Sequence, residues 1–408
     1  SGHRRACEIV MIAREDVPFY SPCPLAEYIE GVVSRDQLFL RDEGFYRELD
    51  ITTMFGREVT RVDAEANEVT LAPSTDSGQG DGKLVAYDRL LIAAGAQAII
   101  PPIPGLTDRK SGIFVLKTLA DAEDILGYLN GAQRAVVIGA GFIGLEAAQA
   151  LARRGLSVTV VEALDRVLPQ MLDAEMAALV QARLESNGVQ VMLDSPVEAI
   201  LGPEDGQVTG VVADGQETAC ELVVCATGVR PNLALVEGTD IAINVGILVD
   251  ERMETSHPGV FAAGDIVETA DIFGRRQVLP TWPNAVSGGR VAGYNLAGVE
   301  RRFTGLENAN VLRVFDLPVV SLGQLNGSET LRRAQNGVVK KLALEGGRVV
   351  GLQMVGQVDG AGLFLDLMKK GRDVTEFGGG ILAPDFGYGR LLNPATRNGK
   401  GYMALRAL

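Results

Sequence analysis

Short runs of apolar residues alternate along this chain with longer stretches in which apolar positions recur at helical spacing. The runs at 8–12, 51–72 and 84–93 predict strands, and the stretches at 34–49 and 118–130 predict helices. The same pattern predicts strands at 134–138, 157–161, 189–193, 197–201, 207–213, 219–226 and 259–263, and helices at 142–154, 173–187, 284–297 and 359–370. Strands that alternate with helices in this way are typical of an α/β protein with parallel sheets.

One kind of strand ending occurs three times in the chain. Each is an apolar run that closes on small residues and a glycine, in Leu90–Gly95, Val223–Gly228 and Val260–Gly264. These endings predict two related α/β units, each of which places backbone against a nucleotide. The segment 98–105 contains three prolines and is predicted to be a linker that crosses between the units, and the polar segment 73–83 is predicted to be a loop.

The glycine-rich turn Gly139-Ala-Gly141-Phe-Ile143-Gly144 lies between a predicted strand and a predicted helix. In a dinucleotide-binding turn the first glycine permits the tight bend, the second lets the backbone approach the pyrophosphate, and the third lets the helix pack on the strand. The helix then faces the phosphates with its free N–H groups. Glu162 ends the next strand and can accept hydrogen bonds from the adenosine ribose, which favours NAD over NADP. A turn without a ligand is the competing interpretation, and the strand, helix and acid around it argue against that.

Composition and charge exclude several classes of protein. A net charge of −14 argues against nucleic acid as a partner, and no long apolar run predicts a membrane span. The four cysteines form no disulfide framework, which indicates a reducing, cytoplasmic setting, and with two histidines a histidine-based metal site is not expected. Residues 306–408 carry 13 Lys and Arg against 9 Asp and Glu, so this part is either a less acidic solvated surface or a surface that meets an acidic partner.

The chain resembles the pyridine nucleotide-disulfide oxidoreductase family of flavoproteins. The similarity rests on 90–95 and 139–162, together with Ala226-Thr-Gly-Val-Arg-Pro-Asn232 and Thr255-Ser-His-Pro-Gly-Val-Phe-Ala-Ala-Gly-Asp265. It implies an α/β fold of two Rossmann-like dinucleotide-binding domains plus a C-terminal α+β interface domain, with FAD and NAD(H) as cofactors. The implied domains are a first FAD part at 1–115, an NAD-binding domain at 116–245, a second FAD part at 246–305 and the interface domain at 306–408.

The resemblance also implies roles for individual residues. Asp265 would bind the ribityl chain of FAD and Glu15 the FAD ribose, while the helix that begins around Ala285 would point its N-terminus at the flavin. Glu146 would supply an acid near the nicotinamide, and Phe142 would either lie over the flavin or belong to the core. The other cofactor-binding residues implied by the matching motifs are Ala94, Gly95, Thr227, Gly228 and Gly264.

The C-terminal part resembles the interface domain of the coenzyme A-disulfide reductase and NADH oxidase branch of the family. The matching stretches are Val314–Leu317, Val349–Gly356 and Ala383–Phe386. In that branch the domain makes homodimers, so the resemblance implies a homodimer here. The branch usually has a tyrosine before the Ala-Pro pair, where this chain has Leu382, and this departure weakens the transfer of thiol chemistry.

The first FAD-binding strand of the family and its glycine turn have no counterpart in this chain. Residues 4–7 resemble the end of the helix that follows that turn, and Glu8–Glu15 resembles the second strand. We therefore expect a sequence cut short at its N-terminus rather than a domain that has lost its flavin, because the later FAD motifs are intact.

The segment 20–31 corresponds to the part of the family's chain that runs under the flavin, and it contains Cys23. In the branch named above, a single cysteine here forms a mixed disulfide or a sulfenic acid, since a thiolate can exchange electrons with the adjacent flavin. Pro24 and Ala26 stand where that branch favours glycine and proline. Related reductases of rubredoxin, ferredoxin or nitrite-reducing centres need no cysteine at this place.

The sequence leaves three functions open. The leading hypothesis is an enzyme in which hydride passes from NADH to FAD and electrons pass directly to a carrier such as rubredoxin or ferredoxin, or to a partner subunit. The alternative is a disulfide reductase or NADH oxidase that serves a small thiol, a disulfide or oxygen through Cys23. The third, from another class, is a structural subunit that keeps the fold without the flavin. Cys220 and Cys225 are predicted to be core residues of a strand.

Overall fold

A computed structural model of the chain describes residues 7–73, 82–107 and 111–392. It divides the chain into two compact units, each built from segments that are far apart in sequence. Unit 1 comprises the residues up to Ile99, Val115–Asn130 and Val229–Leu306, and unit 2 comprises Ile100–Phe114, Gly131–Gly228 and the chain from Glu307 onward. The first boundary falls inside the proline-rich segment 98–105. The domain boundaries after 115, 245 and 305 stay predictions, and most of the loop predicted at 73–83 lies outside the described residues.

The strands of the described residues are numbered in chain order. They are β1 Ile9–Ile12, β2 Ile51–Met54, β3 Val59–Asp63, β4 Glu68–Leu71, β5 Leu84–Ala86, β6 Leu90–Ile92, β7 Ala96–Ala98, β8 Ile113–Phe114, β9 Arg134–Ile138, β10 Ser157–Val161, β11 Gln190–Met192, β12 Val197–Leu201, β13 Gly210–Ala213, β14 Gln216–Ala219, β15 Leu222–Cys225, β16 Val229–Pro231, β17 Ile247–Leu248, β18 Val260–Ala262, β19 Val267–Ala270, β20 Arg276–Gln277, β21 Ala309–Val314, β22 Leu317–Gly323, β23 Glu329–Gln335, β24 Val338–Glu345 and β25 Arg348–Val355.

The helices are numbered in the same way. The α-helices are α1 Leu25–Glu30, α2 Arg35–Leu38, α3 Glu43–Glu48, α4 Leu119–Tyr128, α5 Phe142–Arg153, α6 Ala174–Ser186, α7 Trp282–Leu296, α8 Ala361–Lys370 and α9 Tyr388–Leu392, and short 3-10 helices cover Leu129–Gly131, Ala234–Val236 and Thr375–Leu382.

Unit 2 contains a five-stranded parallel sheet in the order β11-β10-β9-β15-β8. Its central strands β9, β10 and β15 are almost entirely apolar and buried, as expected for parallel strands that are covered on both faces. Helix α5 connects β9 to β10 and packs on both, so β9-α5-β10 is a βαβ unit of the Rossmann type. An antiparallel meander of β12, β13 and β14 lies between β11 and β15 in sequence.

The C-terminal part of unit 2 is an antiparallel sheet in the order β21-β22-β25-β24-β23, with α8 packed against β25 and β22. It also packs against helix α6 of the nucleotide-binding part. Asp173, the N-cap of α6, donates its backbone N–H to the amide oxygen Oε1 of Gln353 at 2.8 Å, and its carboxylate pairs with Lys341 Nζ at 2.6 Å. The α/β fold class and the C-terminal α+β domain predicted from the sequence are therefore both present, and the role of that domain as an interface stays a prediction.

Unit 1 contains two parallel strand pairs, β1 with β2 and β6 with β18. Unit 1 also contains an antiparallel sheet of β3, β4 and β5, and its buried residues join a core that includes Val62, Ile92, Val249, Val260 and Phe261. Helix α7 packs against β6 and β18, and α1 packs against α4. This arrangement is the second Rossmann-like domain.

The predicted helix at 34–49 is wrong as a continuous element, because the structure divides it into α2 and α3. Phe39 has extended backbone, with φ −74° and ψ 123°, and forms a bridge with Tyr20. Asp42 then accepts a hydrogen bond from the Phe45 N–H at 2.9 Å and caps a new helix. A local pairing and a local cap thus override a helical pattern of apolar positions.

Two predicted strands are also divided in the structure. The run 84–93 separates into β5, which pairs antiparallel with β4, and β6, which pairs parallel with β18. The run 219–226 separates at Cys220, whose N–H bonds to the Thr209 carbonyl oxygen as the chain leaves the meander for the parallel sheet. Each division marks the passage of the chain from one sheet to another.

The carboxylate of Glu175 on α6 provides a test of the packing between α6 and the C-terminal sheet. Hydrogen bonds from Arg332 and Lys341 lower its pKa to about 2. Because the folded pKa lies below the ordinary value, this contribution to stability is present above about pH 4.5 and is lost as the pH falls toward 2.

We expect Glu175→Gln to reduce the free energy of unfolding at pH 7 by up to about 1 kcal/mol, since the partly exposed pair is screened by solvent. The difference from the wild type should become much smaller at about pH 2.5, because this pH lies well below the ordinary pKa of 4.5 and close to the folded-state pKa of about 2. Guanidinium unfolding at the two pH values measures this, with Glu217→Gln on exposed strand β14 as the control. If the difference in the free energy of unfolding between Glu175→Gln and the wild type were the same at both pH values, the stabilising role of the Glu175 carboxylate would be contradicted.

Candidate functional site

The turn between β9 and α5 uses its three glycines for three different reasons. Gly139 has φ +102°, and a Cβ on it would lie 2.6 Å from the Ala226 carbonyl oxygen. A Cβ on Gly144 would lie 2.0 Å from the carbonyl oxygen of Gly139, so α5 touches the turn itself. A Cβ on Gly141 would meet no atom within 4 Å and would project into open space. The first and third glycines are thus required by packing, and the second leaves bare backbone on an open surface.

Glu162 closes this turn from the end of β10. Its Oε2 accepts the Ala140 N–H at 2.7 Å and its Oε1 accepts the Leu164 N–H at 3.0 Å. The residue is 8 % exposed, so the carboxylate is buried directly beside the dinucleotide-binding turn. The carboxylate group of Glu162 therefore lies at the turn itself.

The remaining residues predicted near NAD lie on two elements around this turn. Thr227 and Gly228 follow β15, and the Cα of Thr227 is 3.5 Å from the position of a Cβ on Gly139. Phe142 and Glu146 lie on α5 and are half-buried, whereas Ile143 is exposed. The contacts of Phe142 and Glu146 with a flavin or a nicotinamide stay predictions.

The residue set of unit 2 fits a dinucleotide. Gly141 provides backbone that a pyrophosphate can approach, and α5 begins there with N–H groups that make no intrahelical bond. Cys220 and Cys225 are buried, as predicted, and burial raises the pKa of the Cys220 thiol to about 12. These two thiols are thus neutral core groups at physiological pH.

In unit 1 the predicted FAD residues gather at one edge. Strands β6 and β18 run parallel, so Gly95 and Gly264 follow their carboxyl ends side by side. Both glycines have positive φ, and a Cβ would meet no atom within 4 Å at Gly95 and only the Ala285 Cβ at 3.8 Å at Gly264. Asn232 donates its side-chain N–H to the Ala94 carbonyl oxygen at 2.7 Å and holds this edge. The edge is an open, small-residue surface that fits a bulky cofactor.

Asp265 has a partner that the sequence pattern did not reveal. Lys117 Nζ pairs with its Oδ2 at 3.1 Å, and the Lys117 N–H donates to Asp121 Oδ2 at 3.0 Å. The lysine lies immediately before α4, and its position in Leu116-Lys117-Thr118 ahead of a capped helix is the signal that could have indicated it. This ion pair fixes the orientation of the Asp265 carboxylate.

Glu15 is likewise held by a neighbour. The Tyr20 hydroxyl donates to Glu15 Oε2 at 2.7 Å and accepts the Leu119 N–H at 2.9 Å, which links the residue after β1 to the start of α4. Burial, and after it the bond to Glu15, raises the pKa of Tyr20, so the phenol stays protonated and remains a donor at neutral pH.

The segment around Cys23 lies in the same unit. Cys23 is exposed, and Pro24 is the N-cap of α1. Phe19, which is 45 % exposed, stacks on Trp282 in the first turn of α7, with ring centroids 5.9 Å apart and planes at 15°. The segment that leads into α1 therefore presents a thiol and an aromatic ring, and the ring is stacked on the start of α7. In unit 2, Leu382 is 2 % exposed and belongs to the core.

Comparison with known proteins agrees with these two nucleotide-binding units. The family model described as pyridine nucleotide-disulphide oxidoreductase matches residues 2–289. An NADH oxidase of Methanocaldococcus jannaschii is 37% identical over 370 residues, which are 88% of this chain and 81% of that protein. The epsilon subunit of the NADH-dependent phenylglyoxylate dehydrogenase of Aromatoleum evansii is 28% identical over 396 residues, 95% of this chain and 91% of that protein.

A solved structure also matches the fold. It is an engineered water-forming NADPH oxidase bound to NADPH, a mutant of the Lactobacillus brevis NADH oxidase, with a TM-score of 0.82, 26% identity and coverage of 91% of this chain and 87% of that one. Its five substitutions replace a glycine, an aspartate, the two residues after the aspartate, and a proline. Their spacing equals that of Gly144, Glu162, Ala163, Leu164 and Pro169.

Two Rossmann-like units with glycine-lined edges, joined to an α+β domain, define a flavin- and nicotinamide-dependent oxidoreductase. The chain belongs to the pyridine nucleotide-disulphide oxidoreductase family, as the match over most of its length shows. It is an FAD-dependent NAD(P)H oxidoreductase, and the hypothesis of a non-catalytic structural subunit is not retained. Within the described ranges, no helix is long and apolar enough to cross a membrane, and no cluster of His, Cys, Asp or Glu could hold a metal ion.

Gly141→Ala tests the role of the open glycine. We expect NADH to bind about tenfold to a hundredfold more weakly, because the methyl group would occupy the surface that the pyrophosphate approaches. The thermal stability of the unloaded protein should not fall, since the backbone of Gly141 is extended and the added Cβ meets no atom within 4 Å. Titration with NADH and a melting curve measure the two effects.

Gly127→Ala is the matched control, because a Cβ there also meets open space but lies on α4 in unit 1. It should leave NADH binding unchanged. Equal NADH affinity in wild type and Gly141→Ala would show that the turn does not approach the nucleotide.

Proposed function

We propose that the protein uses NADH in preference to NADPH and delivers electrons to a carrier protein or to a partner subunit. FAD, when bound, supplies the chemistry that accepts hydride from the nicotinamide and releases electrons to an acceptor. The chain's own contribution is to bind and orient the cofactors, to choose the nucleotide and to offer a surface to the acceptor. The single observation that carries the acceptor proposal is the exposed Phe19–Trp282 stack in unit 1.

The preference for NADH is supported by the buried charge of Glu162. A 2′-phosphate brought close to this carboxylate would be repelled, and burial beside the turn keeps solvent screening low. In the engineered NADPH oxidase an aspartate at the equivalent spacing is replaced by alanine, and the residue after it by arginine. This chain has an acid, Glu162, and an alanine, Ala163, at these places, like the oxidase before those substitutions.

A macromolecular acceptor is supported by the surface of unit 1. Aromatic side chains are enriched at protein interfaces, and Phe19 is partly exposed although it stacks on a second ring. Trp282 is the first residue of α7. Ala285, one turn further along the same helix, lies near Gly264. The similarity to an epsilon subunit of almost the same length supports a partner subunit as one such acceptor.

The positions at which this chain differs from the thiol-using branch of the family also support a protein acceptor. Leu382 offers no hydroxyl and is buried in the core of unit 2. Pro24 caps α1, and Ala26 is buried, so the residues after Cys23 are used for packing.

A thiol-dependent activity is the second candidate, and the exposure of Cys23 favours it. A thiol at the surface of unit 1 is accessible to a small disulfide or to oxygen. The similarity to an NADH oxidase supports oxygen as an acceptor of this class. The two candidates differ in whether turnover requires the sulfur atom of Cys23.

Self-association through residues 306–408 and a cytoplasmic location are further parts of the proposal. The antiparallel sheet of this region and its resemblance to a dimerisation domain support the homodimer. A stable monomer in light scattering at micromolar concentration would contradict it.

Glu162→Gln tests the choice of nucleotide. The amide oxygen of the glutamine can still accept the Ala140 N–H, whereas the bond from the Leu164 N–H is lost, so the charge is removed and one of the two bonds to the turn is kept. We expect the ratio of kcat/KM for NADPH to that for NADH to rise about tenfold, as the repulsion of the 2′-phosphate is relieved. Asp165→Asn is the control, because it removes an equal charge from an exposed residue that pairs with Arg166. A wild-type enzyme that prefers NADPH would overturn the assignment of Glu162.

A comparison of Phe19→Ala and Cys23→Ser decides between the acceptor classes. For a protein acceptor, Phe19→Ala should slow reduction of a carrier such as rubredoxin or ferredoxin about tenfold, while Cys23→Ser has little effect. Tyr294→Ala is the control, because Tyr294 is an equally exposed aromatic near the other end of α7. The rate of flavin reduction by NADH, measured by stopped flow, should equal the wild-type rate in all three variants.

The opposite result identifies the thiol route. In that case Cys23→Ser loses activity toward disulfide and oxygen, while its flavin is still reduced by NADH. If the wild type also reduces no carrier, the second candidate replaces the carrier proposal.

A further inference from the structure

The segment between β10 and α6 is bonded at both of its ends to parts of unit 2 that are distant in sequence. It runs from Glu162, which follows β10, to Asp173, the N-cap of α6. Near its start, Glu162 Oε2 accepts the Ala140 N–H at 2.7 Å. Further along, the Leu168 N–H donates to the Ala140 carbonyl oxygen at 2.9 Å. Both backbone groups of Ala140, a residue of the dinucleotide-binding turn, are therefore bonded to this 162–173 segment.

The backbone of the 162–173 segment is strained at Leu168. This residue has φ +49°, in the left-handed region that residues with a Cβ rarely adopt. Its side chain is 1 % exposed, and its carbonyl oxygen accepts the N–H groups of Met171 and Leu172, both at 2.9 Å. A strained conformation of this kind persists only where the surrounding structure holds it. The contacts made after Leu168 therefore help to hold the first half of the segment at the turn.

A row of polar side chains on the C-terminal sheet contacts the end of the segment. Ser321 of β22 and Lys341 of β24 both pair with Gln353 of β25, so the three side chains lie in line across one face of the sheet. The Ser321 hydroxyl donates to the Met171 carbonyl oxygen at 2.6 Å. Gln353 Oε1 accepts the Asp173 N–H at 2.8 Å, and Lys341 Nζ pairs with the Asp173 carboxylate at 2.6 Å.

Burial strengthens the effect of these contacts. Ser321 and Gln353 are each 3 % exposed, and Met171 is buried as well. When one partner of a buried hydrogen bond is removed, the other partner loses its bond without gaining water in exchange. The end of the segment is thus held by groups for which solvent offers no substitute.

The first half of the segment coincides with the positions substituted in the engineered NADPH oxidase. Four of the five substitutions in that protein have the spacing of Glu162, Ala163, Leu164 and Pro169. In this chain the Leu164 N–H also donates to Glu162 Oε1 at 3.0 Å. One short segment therefore joins the residues proposed to meet the adenosine ribose to the residues that contact the C-terminal sheet.

We propose that Ser321, Gln353 and Lys341 are positioning residues for the adenosine end of NADH. They act through the 162–173 segment, which they hold against the strain at Leu168, so that Glu162 keeps its place at the turn. The inference rests on the proposed binding of NADH at Glu162 and gives the C-terminal domain a role in nucleotide affinity. A binding conformation that is populated only in part weakens the apparent affinity by that fraction. Loss of these contacts should therefore appear as weaker binding of the nucleotide.

Ser321→Ala and Gln353→Met each remove one bond to the segment with little change in shape. We expect the dissociation constant of NAD⁺, titrated into the oxidised holoenzyme, to rise about threefold to tenfold in each variant and further in the double variant. The rate of flavin reduction at saturating NADH should equal the wild-type rate, because the segment lies at the adenosine end of the nucleotide. Stopped flow measures that rate, and melting curves show that each variant is folded.

Reduced nicotinamide mononucleotide separates positioning from a general loss of structure. This compound has the reacting ring of NADH without the adenosine end, so it makes no use of the 162–173 segment. Its second-order rate constant for flavin reduction should be the same in the wild type, Ser321→Ala and Gln353→Met.

Val320→Ala is the matched control. Val320 precedes Ser321 on β22 and points to the opposite face of the sheet, away from the segment. Because Val320 is buried, its truncation should lower the melting temperature at least as much as Ser321→Ala does. The dissociation constant of NAD⁺ should stay at the wild-type value.

The outcomes separate the inference from the proposal on which it rests. Wild-type affinity for NAD⁺ in the double variant would overturn the inference. An equal loss of affinity in Val320→Ala, or a parallel loss with reduced nicotinamide mononucleotide, would also overturn it, because either result would show a general loss of structure. A wild-type enzyme that reacts with the mononucleotide as readily as with NADH would contradict the proposed site at Glu162, and the inference with it.

Discussion

The contact between α5 and the turn before it determines the geometry of the nucleotide-binding unit. The carbonyl oxygen of Gly139 and the Cα of Gly144 approach so closely that a Cβ would lie 2.0 Å from the oxygen. This contact fixes the start of α5 against β9 and with it the direction of the free N–H groups of the helix. The bond from Ala140 N–H to Glu162 closes the same turn from the neighbouring strand. Nucleotide binding and nucleotide choice thus depend on one backbone arrangement.

The flavin unit is organised by side-chain pairs rather than by a backbone contact of this kind. Residues just before and at the start of α4 hold two of its acids, since Lys117 pairs with Asp265 and the Leu119 N–H bonds to the tyrosine that holds Glu15. Because burial keeps Tyr20 protonated, its bond to Glu15 does not depend on pH in the neutral range. The acids expected to meet FAD are thereby oriented by the protein itself.

Much of this architecture could be predicted from local sequence signals. The βαβ unit was predictable because apolar strands, a glycine turn and the acid Glu162 occur together at spacings that few other structures use. Strands β9 and β10 match the predicted bounds, and Asp173 caps α6 as its sequence position indicates. The α+β domain was predictable in outline from the family resemblance.

The misplaced elements and the missing partners depend on contacts between residues far apart in the chain. The bridge from Tyr20 to Phe39 ends α2 across a loop, and a helical pattern carries no record of it. Lys117 and Asp265 are separated by 148 positions, so neither residue predicts the other.

The packing of α6 on the C-terminal sheet has a consequence for the construction of chimaeras. Ser321 donates to the Met171 carbonyl oxygen at 2.6 Å, and Lys341 and Gln353 bond to Asp173 at the start of the helix. A graft that exchanged only the last hundred or so residues between relatives would leave these polar groups without their partners inside a buried junction. The exchangeable module therefore includes the helix and the loop before it, and recombination breakpoints that respect this junction would fall before residue 171.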